Sequence, residues 1–194
     1  MEGVLTPEVW IAVAEHTEIP ELRRTTRDEP DYDKLMHYRL DLMNQHGISL
    51  SRIQEVIAAL PLLPGALDFL DALRRRTQVI ILSDTFEQFA QPFLRQMGWP
   101  TLFCHRLLVE NDRITGYELR MPDQKRQSVA ALQSLNYSVI AAGDSFNDTA
   151  MLSEANVGIF FRAPSAIQEQ FPQFAAVEDY KGLLRMINEA RAKV

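Results

Sequence analysis

Spacing of apolar residues divides the chain into two parts. From residue 8 to 63 the apolar positions recur at helical intervals. Val9, Trp10, Ile11 and Val13 lie on a first helix, with Thr6-Pro7-Glu8 reading as its start: a hydroxyl N-cap, proline at the first helical position, then an acid. A second helix is predicted from Asp31 to about His46, stopped by Gly47, and a third from Ser49 to about Leu60, before Pro61 and Pro64. Beyond residue 63 the pattern changes. Short continuous apolar runs at 78–84, 137–144 and 157–161 suit buried parallel strands. Helical segments at 65–76, 86–97, 125–135, 148–154 and 180–192 separate or follow them, with a bend or break predicted near Pro92. Residues 103–109 and 116–120 flank NDRITG, which reads as a hairpin turn.

Strands alternating with helices predict an α/β fold, a doubly wound parallel (Rossmann-like) sheet. The expected organisation is a core from residues 1–7 and 64–194 with a small helical cap at 8–63. Ligands of such sheets bind at the carboxyl ends of the strands. That rule directs attention to Ser83-Asp84-Thr85 and to Gly143-Asp144-Ser145-Phe146-Asn147-Asp148.

Composition narrows the function classes. A net charge of −6 argues against a nucleic-acid partner. No apolar stretch approaches the ~18 residues of a membrane span, and no signal peptide is visible. The single cysteine, Cys104, makes no internal disulfide and fits a reducing, cytoplasmic setting. The four histidines are scattered, without metal-ligand spacing.

Asp144 and Asp148 share one strand-end loop, and two such carboxylates repel each other unless a cation or donors compensate. Hard oxygen ligands of this kind suit Mg²⁺; the competing reading is a helix cap. Ser83 suits either a phosphate oxygen or a plain turn. Lys125 and Arg126 open a helix, where positive charge opposes the helix dipole; a nearby anion explains them, as does a solvated surface. Arg39 falls on the apolar arc of Tyr32, Leu35, Met36, Leu40, Leu42 and Met43. Either its head snorkels to water or it faces a pocket and grips a carboxylate. Glu8 also serves simply as a favourable partner for a helix dipole.

The order of these signals, with EGVL, PEVWIA, TTRDEPDYDKLM, IQEVIA, VIILSDTF, KRQSV, VIAAGDSFND and MLSEA, resembles the haloacid dehalogenase superfamily of phosphotransferases. Within it the chain is similar to phosphoserine phosphatases, most closely those that also act as homoserine phosphotransferases. The resemblance implies a Mg²⁺-dependent phosphatase working through an aspartyl-phosphate, with phosphoserine as substrate and homoserine as a second acceptor. It implies Glu2 as the acid/base, its backbone carbonyl also on Mg²⁺, and Asp144 as the carboxylate ligand of the metal. Ser83 and Asn147 match phosphate or substrate contacts, Lys125 the charge-neutralising lysine and Asp148 a supporting acid. Glu8 and Arg39 match the groups that recognise the amino and carboxylate ends of phosphoserine. Homodimerisation stays open.

One departure stands out. Family members carry the nucleophilic aspartate two positions before the acid that Glu2 matches, at the end of a first apolar strand. Position 1 is Met, so neither that aspartate nor that strand is among the 194 residues. The expectation is therefore an inactive chain with its first core strand missing, most simply from a lost start. The alternatives are a catalytically dead relative that binds phosphoserine, and a phosphatase for another small phosphate.

Overall fold

The computed structural model describes residues 1–25, 28–29 and 31–193. Helices α1 (Val9–Thr17), α2 (Tyr32–Gln45) and α3 (Leu50–Ala58) form the helical block. Asp31 caps α2 by accepting the Lys34 N–H at 3.1 Å, and Ser49 caps α3 by accepting the Arg52 N–H at 3.2 Å. The predicted cap at Thr6 is overturned, since α1 starts only at Val9. Residues 1–6 fold back on themselves instead: the Leu5 and Thr6 N–H groups donate to the Met1 carbonyl at 2.8 and 3.2 Å, and Thr6 is fully buried in a bridge with Glu2. Gly3 turns this corner at φ 73°, in the left-handed region that favours glycine.

The second part contains α4 (Ala66–Arg74), β1 (Ile80–Phe86), α5 (Glu87–Gln96), β2 (Thr101–Glu110) and β3 (Arg113–Glu118). It continues with α6 (Gln124–Ser134), β4 (Ile140–Gly143), α7 (Thr149–Glu154), β5 (Val157–Phe161), α8 (Ser165–Gln170), β6 (Ala175–Val177) and α9 (Tyr180–Arg191). β1 pairs parallel with β2, which pairs antiparallel with β3. The turn is tighter than NDRITG: only Asn111 and Asp112 form it, both at positive φ (50° and 63°), as a two-residue primed turn requires. β4, β5 and β6 form a second, all-parallel sheet. Short α8 and β6 carry too weak a periodicity to be read from sequence.

The predicted break at Pro92 does not occur: α5 runs through it unbroken. Proline cannot donate to the carbonyl four residues back, which is that of Gln88. Gln54 of α3 supplies the missing donor, its Nε2 reaching the Gln88 oxygen at 2.8 Å. The helical block is tied down again at the hairpin, where the Leu50 N–H donates to the Asp112 carbonyl at 2.8 Å and Tyr117 donates its hydroxyl to Asp33. One continuous apolar cluster joins Met36, Ile53 and Ile57 of the block to Phe86 of β1 and Phe89 and Phe93 of α5.

Among the described residues no ladder joins β1 to β4. The sheet is present as two three-stranded halves flanking an apolar cleft. The helices α4 and α9 lie against one face, α6 and α7 against the other.

Candidate active site

Both half-sheets end at one polar pocket of about 540 Å³, where the carboxyl ends of β1 and β4 meet the helical block. Glu2, Glu8, Arg39, Ser83, Lys125, Asp144, Asn147 and Asp148 all line it, so the residues singled out from the sequence converge.

Lys125 is the link between the halves. Its Nζ lies 2.7 Å from Asp84 Oδ2 at the end of β1 and 2.9 Å from Asp148 Oδ1 beyond β4. Its side chain is only 12% exposed. The surface alternative for this lysine is thereby overturned. Burial alone would lower its pKa, but Asp148 and Asp84 outweigh that and hold the ammonium well above its usual range. Arg126, beside it, pairs outward with Asp123 and Glu154 and takes no part in the pocket.

Asp148 organises the loop after β4. One carboxylate oxygen accepts the backbone N–H groups of Asp144 and Ser145 at 3.0 and 3.2 Å and the Ser145 hydroxyl at 3.1 Å, leaving the other for Lys125. Burial would raise its pKa; Lys125 prevails and holds it below the carboxylate range. A Cβ at Gly143 would overlap this carboxylate, which explains the glycine.

Asp144 is the opposite case. It receives no hydrogen bond from another described side chain or backbone group. Burial and then the neighbouring Asp148 push its pKa up to about 6. A carboxylate destabilised in this way calls for a cation, so the site fits Mg²⁺, which takes one or two carboxylates and completes its shell with water and phosphate oxygens. Among the described residues no group of three His, Cys, Asp or Glu side chains converges as metal ligands. A Cβ at Gly3 would overlap Asp144, so the glycine also keeps this space open.

Glu2 accepts the Val9 N–H through Oε2 at 3.1 Å and so caps α1, a role the sequence had suggested for Thr6. Burial raises its pKa and favours the protonated acid. Glu8 is the exposed N-cap residue of α1, without a side-chain cap bond. Ser83 is buried, its carbonyl accepting Gln124 Nε2 at 2.5 Å. Asn147 is exposed at the rim beside Phe146.

Arg39 does not snorkel. It is 6% exposed, with its guanidinium 4.3 Å from the centre of the Trp10 ring. Nη2 donates to the Arg24 carbonyl at 2.6 Å, and Nε has no partner. No described carboxylate lies within ion-pair distance. Burial pushes its pKa down to about 10.

Three participants escaped the sequence reading: Asp84 as a partner of Lys125, Gln124 beneath Ser83, and Trp10 under Arg39. Their signal was a place in or beside SDT, KR and PE, but which side chains meet across about 30 to 40 positions is set by the fold.

Comparisons with known proteins identify the family. The haloacid dehalogenase-like hydrolase profile matches residues 5–156. The Pseudomonas aeruginosa protein phosphoserine phosphatase ThrH is 57% identical over 194 residues, covering 100% of this chain and 95% of that one. A phosphoserine phosphatase of Pseudomonas syringae pv. tomato is 57% identical over 184 residues, covering 94% of this chain and 78% of its own. Among solved structures, a phosphoserine phosphatase held as a phospho-aspartyl intermediate analogue superposes with a TM-score of 0.76 at 17% identity, covering 94% and 93% of the two chains. The T. onnurineus phosphoserine phosphatase gives 0.73 at 24% identity, covering 96% and 90%. These structural likenesses establish the fold. Profile, sequence identity and the strand-end placement of the acidic pocket together assign this chain to the haloacid dehalogenase-like hydrolases.

Proposed function

We propose that the pocket is the site of a Mg²⁺-dependent phosphoserine phosphatase, with residues 8–63 as the cap that covers it. The observation that carries this reading is Arg39: a buried guanidinium whose Nε has no partner and which has no carboxylate within ion-pair distance among the described residues, lining the same pocket as Lys125 and Asp144. A phosphate and a carboxylate on one small molecule satisfy both ends. The 57% identical relatives named phosphoserine phosphatase support the same substrate.

In this reading Arg39 holds the substrate carboxylate, Glu8 the ammonium, and Ser83, Asn147 and Lys125 the phosphate. Asp144 and the Glu2 carbonyl hold Mg²⁺, which when bound offsets phosphate charge. The aspartate that the family places two positions before Glu2 attacks phosphorus as Glu2, protonated, gives its proton to the departing serine oxygen. Glu2, now a carboxylate, takes a proton from water, whose oxygen attacks the aspartyl-phosphate, releasing phosphate and restoring both acids. Homoserine entering in place of water receives the phosphoryl group.

The described carboxylates of the pocket already have other tasks. Asp148 and Asp84 are held by Lys125, Asp144 is assigned to Mg²⁺, and Glu2 to the acid/base role. We infer that the 194 residues bind phosphoserine without turning it over. Calorimetry with phosphoserine and Mg²⁺, alongside a phosphate-release assay, tests this. Saturable Mg²⁺-dependent binding without release is expected; no binding in the presence of Mg²⁺ rejects the substrate.

A further inference from the structure

A run of aromatic contacts leads from the helical block to the polar end of β1. Trp10, on α1, is half-buried and lines the pocket beside Arg39. Its ring centre lies 4.3 Å from the Arg39 guanidinium carbon. The same ring meets Phe89 of α5 edge-on, with centres 5.5 Å apart and planes at 71°. Phe89 in turn meets Phe86 at 5.7 Å and 89°. Both phenylalanines are 1% exposed, so they cannot drift. Phe86 ends β1, just beyond Ser83 and Asp84. Ring packing thus fixes Trp10, and with it the guanidinium, relative to the strand end that faces the phosphate site.

The chemistry of that contact matters as much as its position. A buried guanidinium needs its charge offset. A carboxylate beside it would do so, but would also compete with an incoming carboxylate. Among the described residues Arg39 has only neutral partners at bonding distance. They are the Arg24 carbonyl at 2.6 Å, Met36 Sδ at 3.8 Å and the Trp10 ring. Indole attracts a cation more strongly than the phenyl or phenol rings, and more so when water is excluded. It therefore offsets the charge while Nε stays without a partner. Filling the space between α1 and α5 asks only for a large apolar side chain; offsetting the charge asks for a ring face.

We propose that Trp10 is a positioning residue for carboxylate selectivity: its indole face holds the Arg39 guanidinium in place, without a competing carboxylate, for the carboxylate of the ligand. This rests on the phosphoserine reading of the pocket. It adds the group that, acting through Arg39, separates phosphoserine from a phosphate ester lacking the carboxylate.

The test is calorimetry with Mg²⁺ and two ligands, phosphoserine and phosphoethanolamine, which differ only in the carboxylate. Trp10→Leu should lower phosphoserine affinity roughly 5–30-fold and leave phosphoethanolamine within about twofold. Trp10→Phe should fall between Trp10→Leu and the unaltered chain, since it keeps a smaller ring face. The chain has two tryptophans, and Trp99 is 60% exposed, so Trp99→Phe makes Trp10 the sole indole. In that variant phosphoserine should change the Trp10 emission at the midpoint that calorimetry gives. Equal losses for the two ligands in Trp10→Leu, full selectivity retained there, Trp10→Phe as damaging as Trp10→Leu, or phosphoserine bound with Trp10 emission unchanged would each overturn the proposal and leave the phosphoserine reading standing. An unaltered chain that binds neither ligand, or both alike, overturns that reading and the proposal with it.

Discussion

The two half-sheets are held in different ways. The first is fastened to the helical block by Gln54 on the Gln88 carbonyl, Leu50 on Asp112, Tyr117 on Asp33 and a shared aromatic core. The second has its own small cluster around Val129, Met151 and Phe160. Across the cleft they meet through α4 and α9 and, at the polar end, through α6, whose Gln124 donates to the Ser83 carbonyl and whose Lys125 lies between Asp84 and Asp148. The site thus lies where the sheet is least continuous, and Lys125 is at once a fastening and a functional charge.

Lys125→Met should break that arrangement most severely. It leaves Asp84 and Asp148 facing each other, costing about 3–5 kcal/mol of stability. It should also weaken phosphate binding roughly 10–100-fold. Denaturant unfolding and calorimetry read the two effects, and an unchanged midpoint would remove Lys125 as the fastening. Arg39→Ala should act on binding instead. Phosphoserine affinity should fall roughly 10–100-fold, while a phosphate ester without a carboxylate is unaffected. Arg39→Lys should not restore it, because an ammonium lacks the planar fork. Equal losses for both ligands would contradict the role given to Arg39.

Gly3→Ala forces φ 73° on a residue with a Cβ directed at Asp144. A loss of about 1–3 kcal/mol is expected, together with weaker Mg²⁺ dependence of binding. Gln54→Ala bares the carbonyl opposite Pro92 and should cost about 1 kcal/mol without changing affinity. Substrate affinity that fell with it would mean the block is coupled to the pocket through α5.

The smallest effect concerns pH. Burial lowers the His105 pKa, against the opposing pull of Asp84. The folded state therefore prefers neutral imidazole, and this preference is fully stabilising above the unfolded pKa of about 6.5. It is lost as pH falls from there toward the lowered folded value. His105→Gln should flatten the acid side of a stability–pH curve over that window.

Much of this was legible in the chain. Continuous runs such as VIIL and VGIFF declared buried strands, and the strand-end rule selected Ser83, Asp144 and Asp148. Arg39 betrayed itself by its place on an apolar arc. What could not be read were long-range pairings. Nothing local says that Gln54 rescues the helix at Pro92, that Glu2 caps α1 in place of Thr6, or that Asp84 shares Lys125. Those depend on which groups tertiary packing leaves in need of a partner.

On the proposed reading the pocket holds phosphoserine, and turnover depends on a nucleophilic aspartate placed ahead of Glu2. The direct test is single-turnover phosphate release from phosphoserine with Mg²⁺. It compares the 194-residue chain with versions in which an apolar run ending in Asp, or in Asn, is joined ahead of Met1. Release from the Asp version alone is expected. Release from the 194 residues by themselves, or equal silence from the Asp and Asn versions while both bind phosphoserine, would contradict the account.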